Sequence, residues 1–342
     1  MGPVLPGLKD APAVVRPGLA PDRAWNLNGT DETMSTQEAP ALFDEAARDA
    51  FYQRLFPIYE RNFGRVAASP EHVVQMTHDS LNEQRSEEQL VMLEAAAGAP
   101  LRGKRMLEVG SGIGLTTSVA RKKFGIEAYG IEPGDDEYEG SLKLSYDILS
   151  AAGVDPEAVR YGVGEAIPFP DDHFDVIYST NVLEHVNVPP KVLAEIVRVL
   201  KPGGLAQIVV PNYGSWWEGH YGIIWLPHLP AWLGKLYVRA LGRDPEFIDT
   251  LQLVSRGKVE RWIAPLRPQI DILGWGTDVW EERVTGLGFS EYSALGRLKS
   301  ILRIMHKLGV VPLLVKVGKL LHWETPIILT FRKKAAAPVS ST

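Results

Sequence analysis

Residues 106–116, MLEVGSGIGLT, decide the fold of this chain. Met106, Leu107 and Val109 are apolar and predict a short buried strand, and the glycines that follow predict a turn with little side-chain bulk. Residues 115–124 then favour a helix whose N-terminus faces the turn. A strand, a glycine-rich turn and a helix in this order indicate a site where a nucleotide-type cofactor lies against bare backbone.

The spacing of Gly110, Gly112 and Gly114 argues against two common glycine-rich turns. The dinucleotide pattern G-x-G-x-x-G, counted from Gly110, requires a glycine where this chain has Leu115. A P-loop requires a Lys-Ser/Thr pair after its last glycine, and this turn contains no lysine. A nicotinamide-dependent oxidoreductase therefore stays only as an alternative.

The pattern that remains, E-x-G-x-G-x-G, resembles the first motif of class I S-adenosylmethionine-dependent methyltransferases. The resemblance implies that the cofactor contacts Gly110, Ser111, Gly112 and Gly114. Glu108 would help to hold its methionine ammonium group, because a carboxylate forms strong hydrogen bonds with a cation. The cofactor has no phosphates, which agrees with a turn that lacks basic residues.

Two further acids come at the positions that this resemblance requires. Residues 127–133, EAYGIEP, predict a second strand that ends near Glu132, about 20 residues past the first glycine, where a carboxylate can accept hydrogen bonds from both ribose hydroxyls. In GEAIPF, the family's acid at the place of Glu165 bonds the adenine amino group, and the backbone N–H of Ala166 would reach a ring nitrogen. Most relatives have aspartate there, and Glu165 is one methylene longer.

The next elements also follow in the order typical of this family. Residues 174–180, FDVIYST, favour a central strand, and the resemblance places Thr180 at its end among the cofactor contacts. Residues 191–200 have the spacing of an amphipathic helix that K-P-G-G ends, and residues 205–210 supply another strand. The resemblance extends from about residue 105 to residue 211.

These elements predict an α/β fold, a Rossmann-like doubly wound sheet of seven mostly parallel strands with N-terminal helices and C-terminal cap insertions. The last strand is expected at residues 326–332, preceded by a helix at 279–287 and a strand at 291–294. The predicted organisation is a disordered tail (1–40), a helical lid (41–100), the methyltransferase domain (101–334) with cap insertions at 212–275 and 297–323, and a tail (335–342).

The insertion at 212–275 is unusually aromatic in SWWEGHYGIIWLPHLPAW. It follows the fifth strand, where loops lie over the carboxyl edge of the sheet and can contact substrate. It therefore predicts either a substrate cap with a catalytic histidine or a small satellite core. His220 is the better candidate than His228, because Glu218 and Tyr221 flank it.

The insertion at 297–323 combines apolar helical faces with lysines and arginines and contains no acid. Such a pair of helices can lie on an anionic membrane or receive a lipid-linked substrate. The alternative is a helical cap that packs on the core with its lysines in solvent. Peripheral membrane contact through 297–323 is thus a hypothesis.

Composition narrows the possible partners. The net charge of −6 argues against a nucleic-acid surface, which needs concentrated Lys and Arg. The absence of cysteine excludes disulfides and thiolate nucleophiles and agrees with a cytoplasmic location. No uncharged run approaches the about 18 residues of a membrane span, so the chain is expected to be soluble or at most peripheral to a membrane. The expected partner is a small-molecule, glycan or lipid-linked substrate.

The predicted reaction is direct in-line methyl transfer from S-adenosylmethionine, with oxygen as the expected acceptor atom. A hydroxyl acceptor must lose its proton, and His185 and His220 are the candidate catalytic bases. Some family members bind a divalent metal through E-x-x-E-H after the fourth strand. Here Asn181 replaces the first acid, so no metal is expected. A non-catalytic scaffold that retains the pocket is a second alternative.

Overall fold

A seven-stranded sheet with the strand order β3-β2-β1-β4-β5-β9-β8 lies at the centre of the computed structural model, which describes residues 40–134, 140–286 and 295–335. The strands are β1 (Arg105–Val109), β2 (Glu127–Glu132), β3 (Val159–Tyr161), β4 (Phe174–Thr180), β5 (Leu200–Val210), β8 (Ile270–Gly274) and β9 (Ile327–Lys333). Strands β1 to β5 are parallel, and β9 is antiparallel to both β5 and β8. The predicted mostly parallel sheet is confirmed.

Helices cover both faces of this sheet. They are α1 (Glu45–Phe63), α2 (Pro70–Ser80), α3 (Glu83–Ala97), α4 (Leu115–Val119), α5 (Ser141–Ala151), α6 (Pro189–Val199), α7 (Ala231–Ala240), α8 (Arg256–Ile263), α9 (Thr277–Gly286), α10 (Leu295–Lys307) and α11 (Val311–Leu320). Successive strand side chains point to opposite faces. Met106 accordingly belongs to the core cluster with α3, α4 and α5, and Leu107 to the cluster with α6 and α8. This two-sided burial explains the apolar run of β1.

The helices α1, α2 and α3 confirm that residues 41–100 are helical. Each begins at a side chain that caps the first turn, namely Asp44, Ser69 and Asn82. They belong to the same compact unit as the sheet, and α1 packs on α2 and α5. The predicted disordered tail at 1–40 and the tail at 335–342 fall almost entirely outside the described residues.

The sixth strand position differs from the sequence prediction. The strand that pairs with β9 at the sheet edge is β8, Ile270–Gly274, which lies inside the insertion predicted for 212–275. The insertion therefore ends before residue 270, and the strand predicted at 291–294 lies outside the described residues. Strand β9 pairs with β5 on one side and with β8 on the other, so both of its edges are paired. Only long-range pairing with β9 identifies the edge strand, since IDILG is as short and as polar as many loop segments.

The first insertion folds around its own aromatic core. It contains the short strands β6 (Trp217–Glu218) and β7 (Ile223–Ile224), then α7 and α8. Tyr221 and Trp225 are fully buried there, together with Phe63 from α1. A satellite core, one of the two predicted alternatives, is therefore present, although His220 lies at its edge.

The second insertion forms the helices α10 and α11, which pack on α9 through Trp280, Leu302 and Val315. Gly318 permits this contact, because an added Cβ would lie only 2.2 Å from Cη2 of Trp280. The packed helical cap, one of the two alternatives, is thus observed. Within the described ranges, no helix is both long enough and apolar enough to cross a membrane.

Candidate functional site

The glycine turn joins β1 to α4 at the carboxyl end of the parallel strands, with positive φ at Gly110, Gly112 and Gly114. An added Cβ at Gly110 would lie 2.2 Å from Cγ2 of Val182, and one at Gly114 would lie 2.5 Å from Cδ1 of Leu149. An added Cβ at Gly112 meets no atom of the described residues within 4 Å. The turn therefore presents bare backbone to open space at Gly112, whereas the other two glycines permit tight packing within the protein.

The carboxylate of Glu132 lies directly against this turn. Its Oε2 accepts a hydrogen bond of 2.8 Å from the backbone N–H of Gly112. Glu132 is only 5% exposed, and this burial raises the pKa of its carboxyl to about 7. The structure thus brings together the two residues that the sequence assigns to the cofactor ribose and to the turn.

Glu108 is also buried, on the face of β1 that packs on α4. Its Oε2 accepts a hydrogen bond of 2.7 Å from the hydroxyl of Thr117, and burial raises the pKa of its carboxyl to about 7. Ser111 is buried over Gly130, and its hydroxyl has no hydrogen-bond partner in the described part of the chain. Ser111 therefore reaches the turn's open side only through its backbone.

The loop predicted to contact adenine is held by protein contacts. Oε1 of Glu165 accepts hydrogen bonds of 3.0 and 3.2 Å from the backbone N–H groups of Asn187 and Val188. The backbone N–H of Ala166 donates to the carbonyl of Val163 at 3.1 Å. An adenine amino group could bond the other oxygen of Glu165, Oε2, but a ring nitrogen would have to replace the bond from the Ala166 N–H.

Thr180 ends β4 as predicted, and its side chain is hydrogen-bonded to Tyr178. Burial and the nearby Glu108 raise the pKa of Tyr178, although this hydrogen bond opposes the shift. Thr180 pairs with Val209 of β5 at the end of the sheet. Its cofactor role stays a prediction.

The loop after β4 and the first insertion bring the two candidate catalytic histidines together. The rings of His185 and His220 lie 5.4 Å apart, centroid to centroid, in an edge-to-face arrangement. Nδ1 of His220 lies 2.8 Å from Oε1 of Glu218, a carboxylate that is 1% exposed. Glu218 also accepts hydrogen bonds from the hydroxyl of Tyr213 and the backbone N–H of Tyr221.

The electrostatics of this cluster follow from burial. Burial lowers the pKa of His185 to about 3 and raises the pKa of Glu184 to about 7. Burial also acts to raise the pKa of Glu218, but the adjacent His220 and the hydrogen bonds to the carboxylate hold it below its ordinary value. The Glu218 carboxylate is therefore ionised at neutral pH and orients the ring of His220.

Helix α1 runs along both parts of the site. Phe63 stacks on His220 with ring centroids 6.4 Å apart, and Phe247, which also contacts Phe63, packs against His220 at 5.3 Å. One helical turn before Phe63, Tyr59 is close enough to Glu132 for that carboxylate to raise its pKa, an effect smaller than that of burial. Residues four apart on a helix are separated by about 6 Å along its axis. The loop that carries His185 also packs on the glycine turn, since Cγ2 of Val182 lies where a Cβ of residue 110 would be.

Glu184, His185 and His220 also form a group able to hold a metal ion. One ligand atom from each lies within 4.8 Å of the other two. The sequence predicts no metal here, because Asn181 replaces the first acid of the E-x-x-E-H motif. The third ligand here comes instead from the insertion, 35 residues later.

Several residues of the site are missing from the sequence prediction. Tyr213 lies in the loop after β5, Phe63 in α1 and Phe247 in a 3-10 helix (Glu246–Thr250), and no local pattern marks them. Glu184 directly precedes His185, so its proximity to this histidine could be predicted from the sequence. His228 is exposed and lies outside the histidine cluster, in agreement with the preference for His220.

Comparisons with known proteins agree with this geometry. Residues 107–208 match the family described as Methyltransferase domain. An uncharacterized methyltransferase of Mycolicibacterium vanbaalenii is 37% identical over 123 residues, which cover 36% of this chain and 44% of that protein. Norajmaline N-methyltransferase of Rauvolfia serpentina is 35% identical over 112 residues, or 32% of this chain and 36% of that protein. The chain thus spans less than half the length of these curated relatives.

Two solved structures with similar chain traces are described as methyltransferases. A putative sarcosine dimethylglycine methyltransferase from Galdieria sulphuraria has a TM-score of 0.47 and 16% identity, covering 84% of this chain and 99% of that one. Haemonchus contortus phosphoethanolamine N-methyltransferase 2, in complex with S-adenosyl-L-methionine, has a TM-score of 0.45 and 19% identity, covering 88% and 61%. Residues 107–208 therefore match a methyltransferase domain, and the motifs within them support the class I S-adenosylmethionine-dependent type.

Proposed function

We propose that this protein transfers a methyl group from S-adenosylmethionine to an oxygen atom of a small-molecule, glycan or lipid-linked acceptor by direct in-line displacement. The observation that carries the proposal is the bare backbone at Gly112 beside the buried carboxylate of Glu132, with the His185–His220 pair near the same end of the sheet. The site therefore combines a place for the donor with a group that accepts a proton.

The residues around the turn fit the donor. Glu132 would accept bonds from the ribose hydroxyls, which suits a carboxylate whose hydrogen bond in the described part of the chain is the one from the Gly112 backbone. Glu108 offers a second negative charge for the methionine ammonium group. When bound, S-adenosylmethionine supplies an electrophilic methyl group, whose bond to sulfur breaks as the bond to the acceptor oxygen forms.

The residues of the histidine cluster fit the acceptor. Because Nδ1 of His220 bonds the ionised Glu218, the ring is held in the tautomer whose Nε2 has a lone pair. That lone pair can take the proton of a hydroxyl as the methyl group is transferred. Phe63 and Phe247 pack against the ring and exclude water from it. His185 stays neutral because of its low pKa and adds a second polar contact.

Two measurements test the donor and acceptor assignments separately. Calorimetric titration with S-adenosylmethionine should show a large loss of affinity in Glu132→Gln and a smaller loss in Glu165→Gln, which retains its size on an exposed loop. His220→Ala should lower methyl transfer while it leaves donor affinity near the wild-type value, and His228→Ala serves as the control. Equal donor affinities in wild type and Glu132→Gln would contradict the assignment of the ribose site.

The acceptor is found by labelled methyl transfer into fractionated extracts, followed by mass analysis of the product. A methyl ether or ester as the product would support an oxygen acceptor. A methylated amine would show that the acceptor atom is nitrogen. Donor binding without transfer to any acceptor would favour the alternative of a non-catalytic scaffold. Binding of a nicotinamide cofactor in place of S-adenosylmethionine would favour an oxidoreductase.

We also propose that the outer face of α10 and α11 touches an anionic membrane, which suits a lipid-linked acceptor. Four large apolar side chains on this face are more than half exposed, namely Ile304, Leu308, Leu313 and Leu320. Arg303, Lys307 and Lys316 are exposed beside them. Apolar residues interleaved with cations match the boundary between acyl chains and anionic headgroups.

Sedimentation with vesicles tests this contact. The protein should bind vesicles rich in anionic lipid at low salt, bind weakly to zwitterionic vesicles, and lose binding in Leu308→Glu/Leu313→Glu. Leu273→Glu is the matched control, because Leu273 is 52% exposed on the edge strand β8. Equal binding by the double variant and the control would refute the proposal.

A further inference from the structure

We propose that Glu184, His185 and His220 bind one divalent transition-metal cation of the Zn²⁺ type. The three ligand atoms lie within 4.8 Å of one another. Tetrahedral coordination with bonds of about 2.1 Å places ligand atoms about 3.4 Å apart. Side-chain movements of roughly an ångström would therefore close the site.

The second observation is the state of the Glu184 carboxylate. Glu184 has 0% exposure, and neither of its carboxylate oxygens has a hydrogen-bond partner among the described residues. Buried polar atoms are almost always hydrogen-bonded, so an unpartnered carboxylate in a structured site needs an explanation. Oε1 of Glu184 lies 3.9 Å from Nε2 of His185, on the side where the other proposed ligands gather.

The charge of the cluster also favours a cation. Glu184 and Glu218 are both buried, Glu184 beside His185 and Glu218 beside His220, and among the described residues neither forms an ion pair with Lys or Arg. Buried carboxylates are stable when they are paired with a cation or bind a metal. Two carboxylates and two imidazoles leave an excess of negative charge that one divalent cation would neutralise.

Glu218 holds the position of an outer-shell partner. Its bond of 2.8 Å to Nδ1 fixes the ring of His220, so a metal bond from this residue would use Nε2. Histidine ligands of metals usually donate their second ring N–H to a carboxylate in this way, which orients the ring and makes the ligand more basic. Tyr213 bonds the same oxygen of Glu218 and holds it in place.

The donor set selects the class of metal. Two imidazoles and one carboxylate suit Zn²⁺ and its neighbours, whereas Mg²⁺ and Ca²⁺ prefer oxygen ligands alone. Three protein ligands leave a fourth position open, as in catalytic zinc sites. The role of that position rests on the proposed function: an acceptor hydroxyl bound there would become acidic enough to release its proton to solvent water, so that His220 would be needed as a ligand and not as the base.

The test is metal binding by the untagged full-length protein after treatment with a chelator. Titration with Co²⁺ should give one equivalent of bound metal with the intense visible absorption of a four-coordinate site, and Zn²⁺ should displace it. Glu184→Gln and His220→Ala should each weaken binding more than Glu218→Gln, for which an outer-shell loss of about 10- to 100-fold is expected. His228→Ala should bind as the wild type does.

Titration of the same variants with S-adenosylmethionine checks that each one is folded. Retained donor binding with no Co²⁺ binding, or with equal Co²⁺ affinity in wild type and His220→Ala, overturns the metal site and leaves the proposed function standing. Metal binding that depends on Glu184 and His220 supports the site even in a protein that shows no donor binding or methyl transfer. The two proposals therefore fail through different observations.

Discussion

Replacement of Gly110 by alanine should destabilise the protein much more than the same replacement at Gly112. Both glycines have positive φ, +75° at Gly110 and +51° at Gly112, so each alanine has the same kind of backbone strain. The new Cβ at Gly110 would lie 2.2 Å from Cγ2 of Val182, whereas the one at Gly112 meets nothing within 4 Å.

The magnitude follows from these two contributions. A left-handed backbone conformation costs about 1–2 kcal/mol for a residue with a Cβ. Overpacking in a filled site adds about 1–3 kcal/mol. We therefore expect the free energy of unfolding to fall by about 1–2 kcal/mol in Gly112→Ala and by about 2–5 kcal/mol in Gly110→Ala.

A second substitution isolates the clash. In Val182→Ala, the nearest atom of residue 182 to the new Cβ at Gly110 is its own Cβ, at an ordinary contact distance of 3.4 Å. The double variant should therefore recover about 1–3 kcal/mol relative to the sum of the single changes, measured as a coupling energy in urea unfolding. Gly112→Ala should instead weaken S-adenosylmethionine binding in calorimetric titration, because its Cβ enters the open side of the turn.

Two results would refute this reasoning. Equal destabilisation by the two alanines would mean that Val182 does not pack against Gly110 in solution. A coupling energy near zero in the double-mutant cycle would mean the same by an independent route. Either result would mean that the loop with Glu184 and His185 does not pack against the glycine turn in solution.

Two further predictions concern the buried carboxylates. Burial raises the pKa of Glu132 to about 7 from 4.5, so the folded state without cofactor binds more protons than the unfolded state between these values. The free energy of unfolding should therefore fall as pH rises through this window, by about 3 kcal/mol at most. In Glu132→Gln, the urea midpoint should fall less steeply with pH than in the wild type. An equal slope of urea midpoint against pH in the two proteins would contradict the raised pKa. Glu218→Gln should lower kcat for methyl transfer by about 10-fold or more, because His220 is a less effective base when its tautomer is not fixed. The affinity for S-adenosylmethionine should be unchanged. The control is Glu246→Gln, which lies on the surface.

The cofactor side of the site could be predicted from the sequence to a large extent. Glu108, the glycine turn and Glu132 lie within one β-α-β unit, and local spacing is enough to place them on the same edge of a parallel sheet. The structure adds the reasons why each glycine is needed: Gly110 and Gly114 for packing, Gly112 for an open backbone. The predicted adenine contact at Glu165 is less direct, since that side chain bonds a neighbouring loop.

The acceptor side depended on contacts between distant segments. His185 and His220 were both candidates by residue type, but their proximity depends on how the insertion folds over the loop after β4. The edge strand β8 was missed for the same reason. Its residues have no strong strand pattern, and pairing with β9, more than 50 residues later, defines it.

The sequence by itself determined the central strands and the glycine turn between β1 and α4, because hydrophobic patterns and glycine spacing act over a few residues. Only the tertiary structure decided that Glu218 holds His220, that Phe63 and Phe247 pack against it, and that Glu184 is buried without a hydrogen bond beside two imidazoles. These contacts join segments up to about 180 residues apart, and they form because aromatic side chains of the insertion and α1 bury one common apolar surface.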